Sequence, residues 1–85
     1  MNDPTDDELL AAIERGENQA LGVLYDRHAA VLFTLAVHLA GNRTRGEDIV
    51  HDIFLDLARA ARRRDPQLRH ALRWLVLRVF QYCDT

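Results

Sequence analysis

The chain contains no lysine, and it has one cysteine, one tryptophan, one methionine and two prolines among its 85 residues. The single cysteine, Cys83, excludes an intrachain disulfide and a CxxC metal pair, which fits a reducing compartment. No uninterrupted apolar run reaches the roughly 18 residues that span a membrane, and the acidic first ten residues are unlike a secretory signal. We therefore expect a cytoplasmic protein without a membrane segment.

Motifs for enzymatic chemistry are also missing. The sequence has no Gly-rich phosphate loop, no HExxH pair and no nucleophile motif. The four histidines, at positions 28, 38, 51 and 70, form no i, i+4 pair with one another. The carboxylates of Glu47, Asp48, Asp52 and Asp56 could bind a cation, but an exposed helix face is the preferred interpretation. We expect no enzyme activity, no metal site and no cofactor.

The formal net charge of −2 conceals a strong asymmetry along the chain. Residues 1–56 hold 11 acidic residues and four arginines, whereas residues 57–85 hold two acidic residues and seven arginines. A basic half can attract phosphate groups, and its field can steer association with a partner. The alternative is a dipolar domain whose two halves attract one another.

The length allows one small domain, and 48% apolar residues are enough for a globular fold. Apolar residues recur at helical spacing, and no segment alternates as a strand does. The sequence therefore predicts an all-α bundle of about four helices within a single domain over residues 1–85. Residues 1–5 are expected to be flexible.

Capping signals mark the start of the first two predicted helices. Thr5 and Glu8 form a capping box, and Gly16 ends this first helix. Asn18 is predicted to cap a second helix that continues to about Leu39. The side chains predicted to face inward are Leu9, Leu10 and Ile13 in the first helix and Leu21, Leu24, His28, Val31, Leu32, Leu35 and Leu39 in the second.

The last two helices are predicted in the same way. Thr44 and Glu47 form a second capping box, while Asp65 and Pro66 give a cap followed by a proline at the first helical position. The side chains predicted to face inward are Ile49, Val50, Ile53, Phe54, Leu57, Ala58 and Ala61 in the third helix and Leu68, Leu72, Leu75 and Val79 in the fourth.

Arginines and aromatic residues concentrate near the end of the chain. Arginine for phosphate combined with an aromatic ring for base stacking is typical of single-strand binding. Core packing is the alternative for Trp74, and the helix dipole is the alternative for the arginine run at the end of the third helix. Candidate DNA-binding residues are Arg62, Arg63, Arg64, Arg69, Arg73, Trp74 and Arg78.

The run Glu47-Asp48-Ile49-Val50-His51-Asp52-Ile53-Phe54-Leu55 resembles the signature helix of sigma factor region 2 in the extracytoplasmic-function group. The opening Asp6-Asp7-Glu8-Leu9-Leu10 and the segment Leu24-Tyr25-Asp26-Arg27-His28 are similar to that family's first helices. Asp65-Pro66 and Trp74-Leu75 keep its spacing. The resemblance covers roughly residues 6–76.

This resemblance implies a transcription initiation module with two binding surfaces. The helix from Arg45 would dock on the coiled coil of the largest subunit of core RNA polymerase. The residues at matching positions of that helix are Asp48, His51, Asp52 and Phe54. The junction from Arg62 to Arg78 would face promoter −10 DNA.

A second hypothesis is a sigma-like interaction domain that reads no promoter. Residues 76–82 are more hydrophobic than the family pattern, and no second helix-turn-helix domain (region 4) follows. Such a domain would bind an anti-sigma factor, another regulator or a second copy of itself. The candidate interface residues are Trp74, Leu77, Phe80 and Tyr82, because a small domain rarely buries so much apolar surface on one terminal helix.

Overall fold

The computed structural model describes residues 3–84, and this part of the chain is all-α, as the sequence predicts. Four α-helices form a bundle, and the described residues contain no strand. The helices are α1 (Asp6–Glu14), α2 (Gln19–Ala40), α3 (Arg43–Arg62) and α4 (Ala71–Cys83), with a 3₁₀ helix (Pro66–His70) leading into α4.

The capping box predicted for α1 is present. The Thr5 hydroxyl accepts from the Glu8 backbone N–H at 3.1 Å, and the Glu8 carboxylate accepts from the Thr5 N–H at 3.2 Å. The carbonyl of Pro4 accepts from Arg27 at 2.8 Å, so Pro4 and Thr5 both have defined contacts. Residues 1 and 2, which belong to the segment expected to be flexible, lie outside the described residues.

Asn18 precedes α2 at the cap position, as predicted, but makes no capping hydrogen bond, and the cap predicted for α3 is wrong. Asn18 adopts helical backbone angles and makes no side-chain cap, because its Oδ1 accepts instead from Arg62 at 2.9 Å. α3 begins before Thr44: Asn42 is extended, and its side chain accepts from the Arg45 N–H at 2.9 Å. An Asn two residues ahead of Thr44 therefore takes the capping position.

Asp65 and Pro66 begin a helix as predicted, although the first five residues are 3₁₀ and the α-helix follows. The Asp65 carboxylate accepts from the Gln67 N–H at 2.9 Å. Arg64, just before it, has a left-handed φ of 57° and turns the chain away from the axis of α3. Because α4 begins at Ala71, this turn and the 3₁₀ helix set its starting position.

One apolar core joins all four helices. α2 packs against each of the other three α-helices, and its most extensive contact is with α3. Gly46 allows the close approach, because a Cβ there would lie 2.6 Å from Val37 Cγ2. The fully buried larger side chains are Ile13, Leu24, Leu32, Ile49, Ile53, Leu57, Leu75 and Val79.

Several inward-facing predictions are wrong. Val31, Leu39 and Leu72 are exposed, and small residues such as Ala20 and Ala36 are buried instead. Steps of four residues drift by about 40° around a helix. Over the 22 residues of α2, the buried side therefore moves away from the single stripe that the sequence pattern predicts.

α2 is the one helix among residues 3–84 that is long and apolar enough to cross a membrane, judged by length and composition alone. These two criteria are weak evidence, since core helices and signal sequences also satisfy them. In the bundle, α2 contributes Ala20, Leu24, Leu32 and Ala36 to the core.

Candidate functional site

The outer face of α3 carries most of the residues predicted to bind polymerase. Asp48, His51 and Asp52 are all exposed there. Phe54 is not part of this face, because it is only 4% exposed. Its ring packs on Tyr25 with centroids 5.0 Å apart, so Phe54 supports the face from below rather than contacting a partner.

Leu55 is the apolar residue that this face presents, and the sequence reasoning missed it. It is 42% exposed although it belongs to an otherwise well-packed amphipathic helix. Residues three, four and seven positions apart share one helix face, which places Leu55 beside Asp52, His51 and Asp48. Counting that spacing from Asp48 could have identified it. We call Asp48, His51, Asp52 and Leu55 the acidic face.

Asp56 borders the acidic face and anchors the end of α4. Its Oδ2 accepts a 2.5 Å hydrogen bond from the Tyr82 hydroxyl, and its Oδ1 lies 3.6 Å from Arg59. The hydrogen bond to Asp56, followed by burial, raises the pKa of Tyr82 to about 12. Tyr82, a candidate interface residue, is half-buried and hydrogen-bonded within the bundle.

A groove at the start of α4 brings three predicted DNA-binding residues together. It has a volume of about 370 Å³ and lies between the 3₁₀ helix and α4. Arg69 and Arg73 contribute the positive charge, and Trp74 and Leu77 contribute apolar surface. The remaining lining residues are Pro66, Gln67 and His70. We call this the basic groove.

Trp74 contributes to the groove without being an open stacking platform. The side chain is 6% exposed, so most of the indole packs in the core. The Arg78 guanidinium lies over the ring at 4.7 Å from its centroid and donates to Gln81 at 3.3 Å. A base could stack on this face of the indole only after Arg78 moves, and the burial agrees with core packing, the alternative given for Trp74.

Two arginines at the end of α3 are engaged by residues of the α1–α2 region. Arg62 donates to Asn18, and Arg64 pairs with Glu14 at 2.5 Å. These contacts join the end of α3 to the turn between α1 and α2. Arg63 is exposed and makes no ion pair with any of the described residues. Arg62 and Arg64 are therefore held by partners within the bundle, although Arg64 still lines one groove together with Arg69.

α4 also presents apolar side chains to solvent. Leu77 is 49% exposed and Phe80 is 50% exposed, as expected for candidate interface residues. They are three positions apart and therefore share the outer side of the helix. Leu77 also lines the basic groove, so this apolar surface continues into it.

Asp6 ties the start of α1 to α2. Its two carboxylate oxygens accept from Arg27 at 2.8 Å and from His28 Nε2 at 2.9 Å. Burial opposes ionisation of this carboxyl, but the hydrogen bonds from Arg27 and His28 outweigh it and hold its pKa below the usual value. His28, predicted to face inward, is thus half-buried against a charged partner.

Within residues 3–84, no three His, Cys, Asp or Glu side chains are grouped as metal ligands are. Comparisons of the chain with protein-family models, with curated proteins and with solved structures give no match.

Proposed function

We propose that this protein is a transcription initiation module of the sigma factor region 2 type. The acidic face of α3 docks on the coiled coil of the largest subunit of core RNA polymerase. The basic groove holds unpaired bases of promoter −10 DNA. The observation that carries this proposal is the presence, on one small bundle, of an acidic helix face and a separate basic groove.

The chemistry of the groove supports single-stranded DNA as its ligand. Arg69 and Arg73 supply charge for two phosphates, while the exposed edge of Trp74 and the side chain of Leu77 offer apolar contact to a base. Gln67 and His70 add hydrogen-bonding groups that can meet base edges. A volume of about 370 Å³ leaves room for an unstacked base.

The acidic face supports a basic, helical protein partner. Asp48 and Asp52 repel one another at i, i+4 spacing, a small cost that a positively charged partner removes. Leu55 lies beside them as an apolar anchor, and buried anchors surrounded by polar contacts are where binding energy concentrates.

The DNA assignment is tested by titrating a fluorescent single-stranded −10 oligonucleotide with the purified chain over a series of salt concentrations. Arg69→Gln combined with Arg73→Gln removes two phosphate contacts. Each contact to single-stranded DNA contributes roughly 0.7 to the salt slope, so we expect the slope to fall by roughly 1.4 and the affinity to drop.

Arg15→Gln is the matched control, because Arg15 is an exposed arginine paired with Glu17 at the turn after α1. It changes the net charge by one without touching the groove. Equal affinity of the wild type and the Arg69, Arg73 double variant for the oligonucleotide would refute the DNA assignment.

A second function, a sigma-like interaction domain without promoter recognition, is favoured by the half-exposed Leu77 and Phe80. The protein bound to this apolar surface would be an anti-sigma factor, another regulator or a second copy of the chain. Sedimentation equilibrium of the purified chain tests the last of these cases. Self-association that disappears with Phe80→Ser would support a homo-oligomer, whereas a monomer at all concentrations would exclude that version.

A further inference from the structure

A second groove lies between α2 and α3, apart from the basic groove. It has a volume of about 240 Å³ and is lined by aromatic, small and acidic side chains. Tyr25 and Phe33 supply the rings, Ala29 and Ala30 keep the groove open, and Glu47 supplies a carboxylate. The last lining residue is Val50. An aromatic ring and a carboxylate around one opening are the groups that bind an organic cation.

The chain itself places a guanidinium at this groove. Arg43 lies over the Phe33 ring, with its Cζ 5.5 Å from the ring centroid, which is within the range of a cation–π contact. Its Nε is 3.8 Å from Glu47 Oε1. The Phe33 ring and the Glu47 carboxylate, which both line the groove, thus already contact the guanidinium of Arg43.

Arg43 is held too weakly to block the groove. Its side chain is 79% exposed, and the ion pair with Glu47 is long and open to solvent. Exposed ion pairs of this kind contribute little to stability, so another guanidinium can replace Arg43 without disturbing the fold. The remainder of the groove, next to Tyr25 and the two alanines, offers further contact to a longer incoming side chain.

We propose that this groove is a binding site for an arginine side chain of a partner protein. The incoming guanidinium stacks on Phe33, pairs with Glu47 and displaces Arg43. Glu47 adjoins Asp48, so the site extends the acidic face of α3 onto α2. The proposal goes beyond the function assigned above, since it specifies the chemistry of one contact and does not require that the partner be polymerase.

The test uses the complete chain alone, labelled with ¹⁵N, and the probe N-acetyl-arginine amide, with amide shifts as the readout. We expect shifts centred on Phe33, Glu47 and Val50. N-acetyl-citrulline amide, which has the same shape without the charge, should produce no comparable shifts. Identical shifts with both probes, or arginine shifts that map elsewhere, would overturn the proposal.

Three variants make the test specific. Glu47→Gln should weaken binding of the arginine probe by about threefold, the factor that one exposed ion pair supplies. Arg43→Gln should strengthen it, because the internal competitor is gone. Glu17→Gln is the matched control: Glu17 also pairs with a nearby arginine, Arg15 at 2.8 Å, but it lies outside the groove.

All three substitutions are at exposed positions, and circular dichroism would establish that the helices are retained. If Glu47→Gln and Glu17→Gln bind the probe equally well, the groove is not the site. If Arg43→Gln leaves the affinity unchanged, Arg43 does not occupy it. Either result contradicts the proposal. If the wild-type chain binds the arginine probe as expected but does not bind polymerase, only the proposed function is contradicted.

Discussion

α2 and α3 approach each other closely at Gly46, and adding one methyl group there tests how the two helices are held together. A Cβ at this position would lie 2.6 Å from Val37 Cγ2, and also 3.1 Å and 3.2 Å from the Val37 backbone N and Cα. A rotamer change could move the Cγ2 atom, but the backbone contacts can be relieved only by separating the helices. Gly46→Ala should therefore be destabilising.

Two opposing terms set the magnitude. Replacing glycine by alanine inside a helix stabilises it by about 1 kcal/mol through helix propensity. Overpacking a tight contact costs about 1–3 kcal/mol. We expect the contact to dominate and the free energy of unfolding to fall by up to about 2 kcal/mol, which corresponds to a drop of up to about 16 °C in Tm for a domain of this size.

Gly22→Ala is the matched control, because Gly22 is also inside a helix but a Cβ there meets nothing within 4 Å. It should raise the free energy of unfolding by about 0.5–1 kcal/mol. Urea unfolding followed by circular dichroism measures both changes. If Gly46→Ala is as stable as Gly22→Ala, the close contact between α2 and α3 is not as described.

Two further predictions concern titratable groups. The pKa of Asp6 is depressed in the folded state, so its contribution to stability is present at neutral pH and is lost as the pH falls through that pKa. The wild type should therefore be more stable than Asp6→Asn in urea unfolding, and this difference should shrink below about pH 4. A constant advantage down to pH 2 would contradict this. Because the pKa of Tyr82 is raised to about 12, its contribution is complete below about pH 10 and lost as the pH rises toward 12. Ultraviolet titration of a Tyr25→Phe variant, which leaves Tyr82 as the one tyrosine, should place the tyrosinate transition near 12, and a transition near 10 would rule out the Asp56 hydrogen bond.

Local signals in the sequence predicted the fold well. The capping box at Thr5 and the start signal at Asp65 both mark real helix starts, since each depends on side chains within three residues of the cap. The departures from prediction at Asn18 and Thr44 have different causes: a tertiary contact at Asn18 and a competing cap residue at Thr44. Asn18 is engaged by Arg62 from 44 positions away, and Asn42 takes the cap that Thr44 was expected to form.

The candidate site was predicted in part. Helical spacing correctly placed Phe54 inward, whereas the family resemblance grouped it with Asp48, His51 and Asp52, which are exposed. Neither pattern identified Leu55 as the apolar residue beside them. The arginines looked like one cluster because they are close in sequence. Arg62 and Arg64 are instead engaged by Asn18 and Glu14, which are distant in sequence, and no pattern within the arginine run indicates that.

The central claim is that the acidic face docks on core RNA polymerase. The most direct measurement is the affinity of the purified chain for purified bacterial core polymerase, by biolayer interferometry, for the wild type, Asp48→Arg and Glu17→Arg. We expect the wild type and Glu17→Arg to bind alike. Asp48→Arg should bind about tenfold or more weakly, because its positive charge would repel a positively charged partner. Absence of wild-type binding, or equal binding by Asp48→Arg, would contradict the claim.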